Sequence, residues 1–386
     1  MSGIVSSECS NYNILVLPGD HVGPEIMAEA LKVLDVIERL RPGLKFHRTF
    51  DLAGGRSIDM HGVPLTEEVL LKAQNSDAVL FGSVGGPEWA DISPGPEQGL
   101  LQLRQRLDTF ANIRPCEMLM PSLLDASPIK ANLVKDVKFV VVRENCGGAY
   151  FGEKVEGTEA ASDLWAYSRA EVERCARVGA AIARIMGGGG ADGTGPATVW
   201  SADKANVLAN GRLWRKVTQD IFHREFKDIT LKHQLADSMA MLMVRRPTMF
   251  NGVVLTDNTF GDILSDISGG ILGTLGLLPS ASVSGVPGEG KFNGIYEPVH
   301  GSAPDISGQG IVNPTAQILS VALMLRYSFA LSEEADAIEK AVKYTLDTKA
   351  NGGLEIRSLD LGGTATTSEI GDAVCAALRE MHGVRD

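Results

Sequence analysis

The chain has 386 residues, of which 44% are hydrophobic and 22% charged, with a formal net charge of −12. That length is more than one hydrophobic core ordinarily serves, so two domains are expected. The acidic balance excludes a nucleic-acid partner held by bulk attraction to phosphate, though not a local basic pocket.

The opening stretch "MSGIVSSECSNYNILVLPGD" has no basic segment followed by an apolar core, and no apolar run reaches membrane-spanning length. A cytoplasmic protein with no membrane partner is therefore expected. The five cysteines, Cys9, Cys116, Cys146, Cys175 and Cys375, are scattered without a C-x-x-C pair. That pattern points to a reduced compartment rather than to a disulfide framework or a zinc site.

Along the chain, short apolar runs alternate with longer helical patterns. "YNILVL" (12–17), "AVLFG" (78–82), "VKFVVV" (137–142), "ATVWS" (197–201), "ITLKHQL" (229–235) and "GVVLT" (252–256) read as strands. Behind Pro24, Ala30, Val33, Leu34 and Ile37 make an i, i+3, i+4, i+7 stripe that predicts a helix over "GPEIMAEALKVLDVIERL". This alternation is the signature of an α/β fold. "YFGEKVEGTEAASDLWAYSRAEVE" has no clear period, as expected of an arm or protruding hairpin, and the stretch from "ILGTLGLLPSASVSGVPGEG" reads as a Gly/Pro-rich functional loop.

Residues 187–195, "GGGGADGTG", place Gly188, Gly190 and Gly193 at the spacing of the dinucleotide fingerprint G-x-G-x-x-G. The fingerprint needs a strand before the glycines and a helix after them, so that helix amides face the pyrophosphate. Here the order is reversed. "SRAEVERCARVGAAIARIM", with Val172, Cys175, Ala176, Val178, Gly179 and Ile182 at helical spacing, precedes, and β-rich "ATVWS" follows. The run reads as a connection, and a nucleotide site has to lie elsewhere.

Asp262 and Asp266 in "FGDILSD" stand four apart, which on a helix puts both carboxylates on one face. Their neighbours Leu255, Phe260, Ile263 and Leu264 are apolar, and so are those of a third acid, Asp237 in "HQLADSMAM", so a solvated face is not expected. Three hard oxygen ligands would suit Mg²⁺ or Mn²⁺ rather than zinc. Arg104, Arg114 and Arg143 form a second set, with Arg143 at the carboxyl end of an apolar strand, where ligands of open α/β sheets bind. Guanidinium forks grip carboxylates bidentately. Tyr150 and Lys204 could act as proton donor and acceptor if neighbouring charge lowers their pKa values. The plainer alternatives are a packing tyrosine and a salt-bridged lysine.

Taken together and in order, "LPGDHVGPEI", "GLLQLRQRLDTFANIRP", "RENCGGAYFGE", "SADKANVL", "HQLADSMAM", "TDNTFGDILSD", "LGLLPSAS" and "EPVHGSAPDISGQGIVNP" resemble the isocitrate/isopropylmalate dehydrogenase family of β-hydroxyacid oxidative decarboxylases. The resemblance implies a two-domain α/β fold without the G-x-G-x-x-G fingerprint. It divides the chain into a discontinuous NAD-binding domain, 1–109 plus 273–386, and a substrate, metal and dimerisation domain with an arm, 110–272.

It further implies that His300, Gly301, Ser302, Ala303 and Asn313 contact the adenosine half of NAD. Asp305 and Ile306 stand where NADP-using relatives carry Lys and Tyr, so a carboxylate would meet the ribose and repel a 2′-phosphate. By the same likeness Arg104, Arg114 and Arg143 hold the carboxylates of a 3-substituted malate, and Asp237, Asp262 and Asp266 hold Mg²⁺ or Mn²⁺. Lys204 takes the C2 hydroxyl proton and Tyr150 protonates C3 after loss of CO2. The site is shared across a homodimer, with Lys204 and Asp237 donated by the partner chain. Glu97, Leu100 and Leu101, with Val207 from the partner, match the apolar pocket for an isopropyl group and argue against a third carboxylate.

The implied reaction is therefore NAD-dependent oxidative decarboxylation of (2R,3S)-3-isopropylmalate in leucine synthesis. Ile267, Ser268, Gly269 and Gly270 replace the family's usual Glu-Ala-Ser continuation, Ala202 replaces a larger residue and His21 replaces a common Gly. These departures leave open a paralogue for bulkier benzylmalate-type acids. A catalytically silent regulatory subunit is the alternative from another class.

Overall fold

The computed structural model describes residues 10–188 and 195–384. The chain forms two compact units, Met1–Leu100 with Tyr296–Asp386 and Leu101–Ile295. The expected boundaries at 109/110 and 272/273 both fall inside the second unit.

Unit 1 opens with β1 (Ser10–Gly19), α1 (Gly23–Leu40), β2 (Leu44–Phe50), α2 (Gly55–His61), α3 (Glu67–Gln74) and β3 (Ala78–Ser83). Helix α4 (Pro96–Arg106) spans the boundary. The α1 stripe Ala30, Val33, Leu34 and Ile37 is fully buried, as its period requires. Strands β1 and β3 are near-continuous apolar runs because parallel strands are covered on both faces.

Unit 2 continues with β4 (Ala111–Glu117), α5 (Ala131–Val134), β5 (Lys138–Glu144), β6 (Lys154–Val155), β7 (Ser162–Asp163) and α6 (Arg169–Met186). It then runs through β8 (Thr198–Asp203), α7 (Ala209–Glu225), β9 (Thr230–Leu235), α8 (Ala236–Arg245), β10 (Gly252–Thr256), α9 (Asn258–Leu272) and β11 (Pro279–Val283). Strand order is β11-β4-β5-β10-β8-β9. Strand β4 is antiparallel to both neighbours, whereas β5, β10, β8 and β9 run parallel. Those four strands therefore deliver their carboxyl ends to one edge, the edge at which such sheets bind ligands.

The chain returns to unit 1 through β12 (Gly294–Pro298), α10 (Thr315–Tyr327), α11 (Ser332–Leu346) and α12 (Thr367–Met381). Strand order there is β2-β1-β3-β12. The arm expected after Tyr150 is the two-stranded antiparallel ribbon β6-β7. The glycine run follows α6 and precedes β8, so the order is helix, connection, strand; Gly190 and Gly193 lie outside the described residues.

Candidate active site

Arg143 is the penultimate residue of β5 and Asp262 lies one turn into α9, which follows β10; the direct pairing of β5 with β10 makes them neighbours. Arg143 is only 2% exposed, and its Nη1 donates to Asp262 Oδ1. Tyr150 donates its hydroxyl to the other carboxylate oxygen of Asp262 at 2.6 Å. Burial works to raise the Asp262 carboxyl, but Arg143, the Tyr150 bond, Arg114 and Arg104 outweigh it and hold it below its usual range.

The Tyr150 hydroxyl moves the other way from the sequence expectation. Burial, then its bond to the Asp262 carboxylate, push it up to about 12. A phenol whose proton is already shared with a carboxylate gives it up less readily, so Tyr150 stays protonated and is a donor.

Arg114 donates from Nε to Asn112 Oδ1 at 2.6 Å and from Nη1 to Ser265 Oγ at 2.7 Å, with Asp266 Oδ1 at 3.7 Å and Asp262 Oδ1 at 4.0 Å. Arg104 is buried and its charge acts on both Arg143 and Asp262. The structure thus gathers Arg104, Arg114, Arg143, Tyr150, Asp262 and Asp266 around one place, with three guanidinium groups facing two carboxylates. Glu97, Leu100, Leu101 and Arg104 fall on one face of α4 by their i, i+3, i+4, i+7 spacing.

Asp237 and Asp266 are more solvated than their apolar sequence neighbours suggested, with side chains 65% and 67% exposed. Both sit on helices, where adjacent residues point to different faces, so apolar sequence neighbours do not line the carboxylate. Asp237 is paired with Lys204 at 2.8 Å, a bond that lowers its pKa. Among the described residues of one chain, no three acid, His or Cys side chains come together to hold a metal ion. Asp203, beside Lys204, is engaged elsewhere, in a two-point pair with Arg215 at 2.8 Å for each bond. Val207 is 63% exposed.

In unit 1 the 300–313 segment lies on the start of α1. The Glu25 carboxylate accepts the Gly308 and Gly310 amides at 2.6 and 3.2 Å, and the Val22 amide donates to Ser302 O at 3.1 Å. Ser302 Oγ donates to Gly85 O at 2.7 Å. Ala303 has a left-handed φ of 40°, uncommon for a residue with a side chain, and packs with Ile306 on Val22, Ile26 and Val312. Asp305 is exposed, Gly301 is open, and Asn313 is tied to Asp360 Oδ2 at 3.1 Å.

Burial lowers the His300 pKa, and its Nε2 is buried without a hydrogen-bond partner among the described residues, the state of an atom that a ligand group can satisfy. Beside this segment a cavity of about 480 Å³ is lined by His21, Arg56, Asp59, Glu88, Trp89 and Ser307 among others. His21 has φ 49°, which explains why Gly is common there, and its Nε2 is 3.1 Å from Glu88 Oε1.

The family model described as isocitrate/isopropylmalate dehydrogenase matches residues 13–374. The chain belongs to this family. It is 70% identical over 370 residues to the 3-isopropylmalate dehydrogenase of Hapsidospora chrysogena, covering 96% of this chain and 97% of that protein. The 3-isopropylmalate dehydrogenase of Sordaria macrospora is 53% identical over 96% of this chain and 99% of its own length. Among solved structures, the isocitrate dehydrogenase of Methylococcus capsulatus is similar with a TM-score of 0.79 at 29% identity, covering 95% of this chain and 99% of that one. The protein is accordingly an oxidoreductase.

Several residues that hold the side chains of this cluster in place carried no motif signal. Asn112 and Ser265 orient Arg114, Asn258 orients Arg143, and Gly261 leaves the space that the Arg143 stem occupies: a Cβ there would lie 2.5 Å from Arg143 Cγ. Of the departures in α9, Gly269 makes room for Leu275, whose Cδ2 would be 2.2 Å from an added Cβ, and the helix runs on through Gly270 to Leu272. Nothing in the structure explains Gly270, where an added Cβ would meet open space.

Proposed function

We propose that the protein catalyses NAD-dependent oxidative decarboxylation of (2R,3S)-3-isopropylmalate to 4-methyl-2-oxopentanoate and CO2, the oxidative step of leucine synthesis. The observation that carries the reading is the buried group of Arg104, Arg114 and Arg143 facing Tyr150 and the Asp262/Asp266 pair. That set matches a dianionic acid on the guanidinium side and a divalent cation on the carboxylate side. The 70% identity to a relative of that name supports the choice of substrate.

In this reading Arg104, Arg114 and Arg143 fix the two malate carboxylates, and the C3 substituent lies against Glu97, Leu100 and Leu101, one turn along the α4 face that carries Arg104. Asp262 and Asp266, with Asp237 of a second copy, would hold Mg²⁺ or Mn²⁺. The ion, when bound, polarises the C2 oxygen, and the nicotinamide, when bound, accepts the C2 hydride. Lys204 Nζ takes the proton of the C2 hydroxyl. The C3–carboxylate bond then breaks, its electron pair passes into the C2–C3 enolate, and Tyr150 returns a proton to C3. A hydroxyl with its pKa near 12 is suited to that last role because it arrives protonated.

His300, Gly301, Ser302, Ala303, Asp305, Ile306 and Asn313 would hold the adenosine half of NAD. The orphaned His300 Nε2 and the exposed Asp305 support this, and Asp305 disfavours a 2′-phosphate. A homodimer with shared sites is part of the reading: half-buried Lys204 pairs with the exposed Asp237, and Val207, Met241, Val244 and Ile263 leave apolar surface uncovered. A reducing, cytoplasmic setting accords with Cys116, Cys146, Cys175 and Cys375 being free thiols.

The test is NADH formation from 3-isopropylmalate, benzylmalate and isocitrate side by side, with and without Mg²⁺. Turnover of isopropylmalate alone, lost on chelation, is expected; no turnover of any of the three would sink the proposal. For the shared site, mixing inactive Tyr150→Phe and Lys204→Met proteins restores activity, because one of the two sites in each mixed dimer is intact. Mixed dimers that form and stay inactive would contradict it.

A further inference from the structure

Arg143 presents an energetic problem that its neighbourhood answers in an unusual way. A guanidinium taken almost wholly out of water needs its donors satisfied, and a carboxylate is the common partner. Among the described residues, Arg143 has a carboxylate, Asp262, on one edge only. On the other, Nε and Nη2 both donate to a neutral amide oxygen, Asn258 Oδ1, at 3.0 and 2.7 Å.

Asn258 is itself 1% exposed and held at three points. Its Nδ2 donates to Gly147 O at 3.0 Å, its backbone amide donates to the Tyr167 hydroxyl at 3.0 Å, and its Oδ1 takes the two arginine donors. Those partners fix which way the amide faces, since Arg143 supplies only donors and Gly147 only an acceptor. The residue opens α9, the helix that carries Asp262. One side chain thus sets the plane of the guanidinium and ties it to the helix bearing its outer partner.

We propose that Asn258 is the positioning residue for Arg143, a neutral acceptor that aims the guanidinium outward without cancelling its charge. The inference rests on the reading that Arg143 grips a substrate carboxylate. A carboxylate in the Asn258 position would neutralise Arg143 from within and leave its outer edge a poorer anion binder. An amide satisfies the same two donors and leaves the positive charge for Asp262 and for the substrate. Asn258 is buried behind Arg143 at 1% exposure, so its role is to position that side chain.

The experiment compares wild type, Asn258→Asp and Asn258→Ser by calorimetric binding of isopropylmalate with Mg²⁺ in the absence of NAD, and by KM and kcat with NAD. Asn258→Asp is nearly the same size and keeps an acceptor toward Arg143, and like Asn258→Ser it gives up the Nδ2 bond to Gly147 O, so the two variants differ in the added charge; it is expected to weaken substrate binding and raise KM by about tenfold or more with kcat within about twofold. Asn258→Ser, which shortens the side chain but adds no charge, is expected to weaken binding less than Asn258→Asp.

A packing role predicts the opposite order, because serine leaves the larger void. Asn258→Asp binding as wild type does, or Asn258→Ser at least as weak as Asn258→Asp, overturns the inference. Should Asn258→Asp fail to fold, Asn258→Ser decides it: raised Kd at unchanged kcat supports positioning, and a wild-type Kd overturns it. Wild-type protein that binds no isopropylmalate would instead sink the functional reading, and this inference with it.

Discussion

The charged cluster of unit 2 and the 300–313 segment of unit 1 are built on opposite plans. In unit 2 the polar side chains of the cluster bond one another: Arg143 and Tyr150 to Asp262, Arg114 to Ser265 and Asn112. In unit 1 carboxylates grip the backbone instead. Glu25 takes the Gly308 and Gly310 amides, while Asp20 takes those of Gly55, Arg56 and Gly85 at 2.8, 2.9 and 2.9 Å. The difference teaches where a substitution acts. In unit 2 it alters the charge of the cluster itself; in unit 1 it alters the shape of a loop.

The contrast between the two units is greatest at Arg143. Arg143→Lys replaces a two-edged fork by a single ammonium and strands Asn258 Oδ1 in a buried place, so kcat/KM for isopropylmalate falls by about 100-fold or more. Steady-state kinetics check this, and a loss of only a few-fold would mean that Arg143 is a structural ion pair. Glu25→Ala removes the acceptor of two loop amides, each bond contributing on the order of 1 kcal/mol. The expected result is a rise of about tenfold in KM for NAD with KM for isopropylmalate unchanged. Equal rises in both would erase the distinction between the two plans. Asp305→Ser, at an exposed carboxylate, is expected to change the NAD to NADP preference by roughly fivefold toward NADP.

The smallest effect sharpens the picture of unit 2 as a place of costly buried charge. Asp257 caps α9, and burial raises its carboxyl to about 7, as it does for Glu144 nearby. A carboxyl raised on folding contributes stability that is full below its unfolded pKa of about 4 and is lost as pH climbs to about 7. Asp257→Asn keeps a capping side chain but cannot ionise. The melting temperature of Asp257→Asn relative to wild type should therefore rise by a few degrees between pH 5 and pH 8. A constant difference across that range would show that Asp257 does not titrate in the fold.

Much of this was readable from the chain. The strand at "GVVLT" is β10 residue for residue, Arg143 does stand at the carboxyl end of a parallel strand, and the Asp262/Asp266 spacing does put both on one helix. These are local properties, fixed by period and burial. What stayed hidden depends on tertiary neighbours. Asn258 meets Arg143 across 115 residues of sequence because β5 pairs with β10, and no pattern around "TDNTFGD" announces a role as a neutral acceptor. The upward shift of Tyr150 was hidden for the same reason, since its carboxylate partner lies 112 residues away. The resemblance to a family named residues of the 300–313 segment as expected cofactor contacts, but the Glu25 clamp on that loop joins residues 283 apart in sequence and no local pattern announces it.

Product stoichiometry shows directly whether oxidation of isopropylmalate is coupled to its decarboxylation. Wild-type protein with isopropylmalate, NAD and Mg²⁺ should release NADH, CO2 and 4-methyl-2-oxopentanoate in equal amounts. NADH formed without matching CO2, or no 4-methyl-2-oxopentanoate at all, would contradict the account.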